Sequence, residues 1–134
     1  MLFEFEVRTT ARSELQEIDH LVIEAIQRSG LKQGAIHIFI PHTTAGVLIN
    51  ENADPAVKQD ILTSLERKIP FSEGYLHSEG NSAAHIKASL LGSSVIIPVS
   101  DGQMRLGTWQ SVFFAEFDGP RRRRIWITPL LAFS

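Results

Sequence analysis

The sequence predicts an α+β fold in a single domain. Helical and strand patterns are mixed instead of repeating as βαβ units, and the C-terminal part is typical of antiparallel strands joined by short turns. A length of 134 residues fits one domain, and a hydrophobic share of 43% is enough to supply a core. We therefore expect one compact α+β domain over residues 1–134.

The amino-terminal elements follow from periodicity. Apolar and acidic residues alternate in LFEFEVRT, which predicts a half-buried strand. The segment SELQEIDHLVIEAIQRSG is typical of a helix, with a capping box that begins at Ser13 and a left-handed stop at Gly30. The next segment, GAIHIFIPH, predicts a strand that ends at His42.

The next two elements are a strand and a helix with clear start and stop signals. The strand is GVLIN, and the helix ADPAVKQDILTSLERKIP has Asp54 as its N-cap and Pro55 as its first residue. After a loop, SAAHIKASLLG predicts a short helix that ends at Gly92. The segments SSVIIPVS, QMRLGTWQSVFFAEF and RRRRIWITPL then predict strands, with turns at DG and DGP.

Composition excludes several classes of protein. The absence of cysteine rules out disulfides and thiolate metal sites, and a net charge of −2 argues against a nucleic-acid binder. No apolar run approaches the roughly 20 residues that a membrane helix needs. The acidic amino terminus does not resemble a signal peptide. We expect a cytoplasmic protein that binds neither nucleic acid nor membrane.

Three of the five histidines are candidates for a metal site. His77 precedes the predicted short helix and His85 lies inside it, so a turn at EGN can bring their rings together. His42, at a strand end, is the third candidate. Three imidazoles with an open position are typical of catalytic zinc. The alternative is that each is an ordinary surface or core histidine, because the spacing matches no standard zinc pattern.

Polar residues from separate segments are candidates for binding a ligand. Glu51 and Glu79 can act as a general base or orient a histidine, although simple exposure explains Glu51 equally well. Arg121 follows the DGP turn and its planar fork suits phosphate or carboxylate, whereas a run of arginines is usually solvated surface. The candidate ligand-binding residues are Thr43, Asn50, Asn81, Gln110 and Arg121.

Four segments resemble, in order, signatures of the YjbQ-like family, which is also called the secondary thiamine-phosphate synthase family. They are HTTAGVLINENADP, HSEGNSAAHIKASLLGSS, LGTWQ and EFDGPRRRR. The resemblance implies a barrel-like sheet flanked by helices, a homotrimer, and a metal site that maps onto His42, His77 and His85. It also implies a secondary activity that joins a hydroxymethylpyrimidine pyrophosphate to a thiazole phosphate.

Three functions are compatible with these observations. The first is an enzyme that acts on a phosphorylated small molecule. Its three histidines hold a divalent ion, for which zinc is the prediction. The second is a non-enzymatic trimer that binds a metal or a phosphorylated metabolite, and the third is a structural protein with scattered histidines. Imidazoles suit zinc better than magnesium, whereas pyrophosphate chemistry usually employs magnesium. Magnesium is therefore an alternative cofactor for the synthase activity.

Overall fold

A computed structural model describes residues 1–132 of the chain, and two antiparallel sheets form its frame. The elements, in chain order, are β1 (Phe3–Arg8), β2 (Glu14–Glu17), α1 (Asp19–Ser29), β3 (Gly34–Phe39), β4 (Ala45–Glu51), α2 (Pro55–Lys68), α3 (Ser82–Leu91), β5 (Ser94–Ser100), β6 (Gln103–Met104), β7 (Gln110–Glu116) and β8 (Arg122–Leu131). The larger sheet has the order β1-β8-β3-β5-β6, and the smaller has the order β2-β7-β4. The sheets curl into an antiparallel half-barrel, which confirms the predicted α+β fold. The predicted single domain ends at residue 134, and residues 133–134 lie outside the described part.

The main core lies between the two sheets and helix α1. Ile36 and Ile38 are fully buried on one face of β3, as their alternation predicts, and Ile125 and Ile127 of β8 face the same core. Strand β3 pairs with β8 on one side and β5 on the other, so the central strands have covered edges.

Strand β7 is shared between two cores. Val112 and Phe114 face the main core, whereas Phe113 and Ala115 face a second cluster that includes apolar residues of α3. Helix α3 packs in the same cluster as Phe113 and Ala115 of β7. Because β7 pairs with β4, α3 also lies beside β4. Gly46 permits this approach, since an added Cβ would lie 2.6 Å from the Gly92 carbonyl oxygen. The start of β4 and helix α3 are thus held together.

The predicted first helix begins later than its sequence pattern indicates. Its first turn is instead strand β2, in which Leu15 lies opposite Ala115 of β7. The helix then begins at Asp19, whose carboxylate accepts the Val112 N–H at 2.7 Å. Pairing with β7 satisfies backbone groups that a helix would have paired locally, so tertiary contact overrides the capping signal at Ser13.

The long strand predicted over QMRLGTWQSVFFAEF is broken in two. Strand β6 belongs to the larger sheet and β7 to the smaller one. Between them the Gly107 N–H donates to the Gln110 side-chain oxygen at 2.7 Å, and the Gln110 N–H donates to the Gly107 carbonyl at 3.1 Å. This turn lets the chain change sheets, and it leaves Trp109 64% exposed.

Helices α2 and α3 follow the prediction closely. The Asp54 carboxylate accepts the Ala56 N–H at 2.9 Å and Pro55 is the first residue of α2, while α3 ends at Leu91 with Gly92 as its C-cap. Among residues 1–132 no helix has the length and apolar character required to cross a membrane.

Candidate functional site

A pocket of about 640 Å³ opens where four parts of the fold meet. These are the β3–β4 connection, the loop before α3, the start of α3 and the β7–β8 turn. Its wall includes both predicted and unpredicted polar side chains. The main ones are His42, Thr43, Thr44, Glu79, Asn81, His85, Asp118, Arg121 and Arg123.

A buried ion pair forms the floor of the pocket. Glu116 is fully buried and Arg123 is 5% exposed. The Arg123 guanidinium donates to both carboxylate oxygens of Glu116, through Nε at 2.8 Å and through Nη2, and Nη2 also donates to Thr44 Oγ1 at 2.8 Å. Thr9 adds its hydroxyl to Glu116 at 2.7 Å. The pair therefore ties three parts of the chain together beneath the pocket.

Glu116 is held in its charged form. Burial by itself raises the pKa of Glu116, but hydrogen bonds from Arg123, the Asp118 N–H and Thr9 outweigh that effect and lower its pKa below the ordinary value. A buried carboxylate with this many donors needs each of them, because a charge without partners inside a protein is costly.

His42 lies beside this ion pair with a defined hydrogen bond. Its Nε2 accepts the Arg124 N–H at 2.9 Å, so the neutral ring carries its proton on Nδ1. Burial, followed by the positive charge of Arg123, lowers the pKa of His42 below its ordinary value. At neutral pH the ring is therefore uncharged and is able to donate a hydrogen bond from Nδ1.

His77 and His85 meet as the sequence predicts. Their ring centroids are 5.4 Å apart, and the planes cross at 89°. His77 Nε2 also lies 3.9 Å from the Glu79 carboxylate. His85 lines the pocket together with His42, whereas His77 lies on the exposed loop before α3 and does not line it.

The three histidines do not form a metal site. Within residues 1–132 no group of three or more His, Cys, Asp or Glu side chains is arranged to hold an ion. One ring nitrogen of His42 is already committed to the Arg124 N–H, and His77 and His85 meet edge to face. The prediction of a zinc-binding protein is therefore wrong. Magnesium is usually bound by the phosphates of a ligand and by only one or two protein carboxylates. The arrangement of these side chains therefore does not test a magnesium cofactor, which stays a prediction.

Asp118 joins two predicted ligand-binding residues. Its Oδ2 accepts from Asn81 Nδ2 at 2.9 Å and from Arg121 Nη2 at 3.0 Å. Asn81 is the N-cap of α3, but its side chain makes no capping hydrogen bond and holds Asp118 instead. Asn81 and Arg121 both line the pocket, and so do the exposed Thr43 and Glu79.

The remaining candidates lie elsewhere. Asn50, Glu51 and Gln110 are at the opposite end of the β4–β7 pair, where Glu51 faces Gln110. Strand β4 is about 20 Å long at the usual rise per residue, so the structure does not bring them to the pocket. The Asn50 side chain accepts the Glu51 N–H at 2.7 Å. The ligand-binding role of Asn50 and Gln110 and the catalytic role of Glu51 stay predictions.

The predicted site residues did not include three that line the pocket, Thr44, Asp118 and Arg123, or Glu116, which is buried beneath it and paired with Arg123. The expectation that the other arginines are solvated is wrong for Arg123. A signal was present, because extending the alternation of Ile127 and Ile125 backward by two residues places Arg123 on the buried face. Glu116, inside the apolar run FFAEF, is the matching buried charge.

Comparison with known proteins gives the family. Residues 3–131 match the model described as UPF0047 protein YjbQ-like. The chain belongs to the YjbQ-like family. It is 53% identical over 127 residues to the UPF0047 protein MJ1081 of Methanocaldococcus jannaschii, a match that covers 95% of this chain and 92% of the relative. It is 46% identical to the UPF0047 protein YugU of Bacillus subtilis, with coverage of 95% and 97%.

Solved structures of this family share the fold. A YjbQ/UPF0047 protein of Clostridium acetobutylicum superposes with a TM-score of 0.94 at 47% identity, covering 96% of this chain and 99% of that one. A protein of Sulfolobus solfataricus, described as YbjQ-like and of unknown function, superposes with a TM-score of 0.93 at 33% identity, with coverage of 98% and 97%.

These comparisons correct the predicted activity. The relatives carry family names without an assigned reaction, and none of these descriptions mentions thiamine-phosphate synthesis. The described part of the chain also lacks the side-chain group for a metal. The prediction of a metal-binding protein with secondary thiamine-phosphate synthase activity is therefore wrong.

Proposed function

We propose that this YjbQ-like protein binds a small anionic molecule, with a phosphorylated molecule as the natural ligand, in the pocket between His42 and Arg121. The observation that carries the proposal is the buried Arg123. A guanidinium that is almost entirely enclosed, yet lines an open pocket with donors to spare, is suited to an oxyanion.

The free donors of Arg123 follow from its contacts. Its Nε and Nη2 are used by Glu116 and Thr44, and Nη1 donates to no group among residues 1–132. Among residues 1–132, Asn81 Oδ1 is the single side-chain nitrogen or oxygen atom that is fully buried and has no hydrogen-bond partner, so Arg123 Nη1 is not fully buried. Arg123 Nη1 therefore keeps some contact with solvent, and we propose that a ligand oxygen binds it.

Two further donors border the same space. Arg121 keeps 53% of its side chain exposed while Asp118 holds it by an ion pair at 3.0 Å. His42 supplies the Nδ1–H opposite its bond to Arg124. The three donors border one pocket, from the β3–β4 connection, the β7–β8 turn and β8, and each charge-assisted hydrogen bond to an anionic group contributes about 1.5–3 kcal/mol.

Four other expectations from the sequence are independent of this proposal. A homotrimer, a single domain over residues 1–134 and a cytoplasmic location stay predictions, as does a catalytic role for Glu79. The residues that carry the proposal lie in one chain.

The test is a titration with inorganic phosphate, followed by amide NMR shifts at pH 7.5 and constant ionic strength. We expect shifts at the β3–β4 connection and the β7–β8 turn, and a loss of affinity of about tenfold or more in Arg121→Gln. Arg122→Gln is the matched control, since Arg122 is the next residue, is 73% exposed and lies 3.6 Å from Glu6. Equal losses in both variants, or no shifts at the pocket, would show the proposal to be wrong.

A further inference from the structure

We infer that the ligand carries hydroxyl groups next to its anionic group, as polyol and sugar phosphates do, and that Asp118 binds those hydroxyls. The inference rests on the proposed function and names the class of ligand for the same pocket. It comes from one carboxylate oxygen whose hydrogen-bonding capacity the fold leaves unused.

Asp118 has one committed oxygen and one free oxygen. Its Oδ2 accepts from Asn81 and Arg121, whereas Oδ1 accepts from no group in the described chain. The Asp118 side chain is 16% exposed, and Oδ1 is not fully buried. An ionised carboxylate only accepts hydrogen bonds, so the natural partner of Oδ1 in the pocket is a donor.

The position of Asp118 is fixed before any ligand arrives. Its backbone N–H donates to the buried Glu116 carboxylate at 3.0 Å, and its carbonyl accepts Arg121 Nε at 2.7 Å. Asn81 holds the side chain from the start of α3. A group constrained at backbone and side chain loses little freedom on binding, which favours selective recognition.

Charge selects a hydroxyl as that donor. The negative charge of Asp118 is already matched by Arg121, so a second cation gains little there, while an anionic oxygen is repelled. A neutral hydroxyl donates to the carboxylate without either penalty. The anionic group of the ligand therefore lies toward Arg123, His42 and the exposed side of Arg121, and its hydroxyls lie toward Asp118 Oδ1.

The test compares two phosphate monoesters of equal charge, methyl phosphate and glycerol 3-phosphate, by calorimetry and NMR. We expect the unmodified protein to bind glycerol 3-phosphate about tenfold more tightly, in keeping with one added charge-assisted hydrogen bond. In Asp118→Asn the amide oxygen can still accept from Asn81 and Arg121, but an NH₂ group replaces Oδ1. The preference should then fall to about one. Asp101→Asn, in the exposed β5–β6 turn, is the control.

The outcomes separate the two proposals. If both esters bind equally well to the unmodified protein, or if the preference survives in Asp118→Asn, the hydroxyl inference is overturned while the anion pocket stands. If neither ester nor inorganic phosphate binds, both proposals fail. Should Asp118→Asn not fold, the 13Cγ resonance of Asp118 in the unmodified protein decides. It must move further with glycerol 3-phosphate than with methyl phosphate, and equal movement overturns the inference.

Discussion

The polar residues at the two ends of the β4–β7 pair differ in burial and in the partners that they bond. At the pocket end Ala45 lies opposite Glu116, and at the far end Glu51 lies opposite Gln110. Glu116 is fully buried and bonded to Arg123 and Thr9, the latter 107 positions away in sequence. At the far end the Asn50 and Gln110 side chains bond to sequence neighbours and are exposed; Gln110 accepts the Gly107 N–H at 2.7 Å.

This difference shows which polar residues mark a site. The far end, with the sequence NEN, has the denser polar motif, yet its side-chain contacts are exposed: Asn50 accepts the Glu51 N–H at 2.7 Å, and Asn52 donates to the Glu17 carboxylate at 2.6 Å. The pocket end has single polar residues among apolar ones, and its contacts are long-range. Burial makes each of those contacts obligatory, because an unpaired buried charge costs several kcal/mol.

The largest effect is expected from breaking the pair at the pocket end. Arg123→Met leaves the Glu116 charge buried without its main partner, and we expect a loss of about 3–5 kcal/mol in the free energy of unfolding. Urea unfolding at pH 7 measures it. The double variant Glu116→Leu with Arg123→Met should be less destabilised than Arg123→Met alone, because no charge is stranded. A double variant that is less stable than the single one would contradict this account.

Acid should weaken the pocket end by a smaller amount. The pKa of Glu116 is lower in the folded protein than its ordinary value of 4.5. The stability that its ionisation contributes is thus present above pH 4.5 and is lost as the pH falls through the folded pKa. We expect unfolding free energies measured from pH 7 to pH 3 to fall more steeply in the unmodified protein than in Glu116→Gln. Parallel curves would show that another carboxyl dominates acid unfolding.

The far end should give the smallest response. Gln110→Ala and Asn50→Ala remove exposed side chains with local contacts, and each should change the free energy of unfolding by about 0.5 kcal/mol or less. Phosphate affinity, measured as for Arg121→Gln, should stay unchanged. If either variant weakens phosphate binding as Arg121→Gln does, the far end belongs to the binding site and the contrast between the ends disappears.

Local patterns predicted most of the frame. Strand β3 and helix α2 follow from alternation and from the cap at Asp54, signals that lie within a few residues of each other. The errors fall where a distant strand competes. Leu15 is drawn into β2 by Ala115, and the chain breaks at Gly107 because β6 and β7 join different sheets.

The site was predicted in part. His42, Asn81, His85 and Arg121 do line one pocket, since strand ends and helix starts can be placed from sequence. The expected zinc site failed because coordination depends on ring orientation, and His42 directs one nitrogen to the Arg124 N–H. Arg123 was hidden within a run of arginines that is otherwise exposed.

The sequence by itself determined the element types, the buried faces of the strands and the segments that carry the polar groups, because periodicity and capping act over a few residues. The tertiary structure decided which charges are enclosed and what each one contacts. Glu116 and Arg123 become a buried pair only when β7, β8 and the β3–β4 connection come together. Burial and hydrogen-bond geometry depend on groups far apart in the chain, which no local pattern encodes.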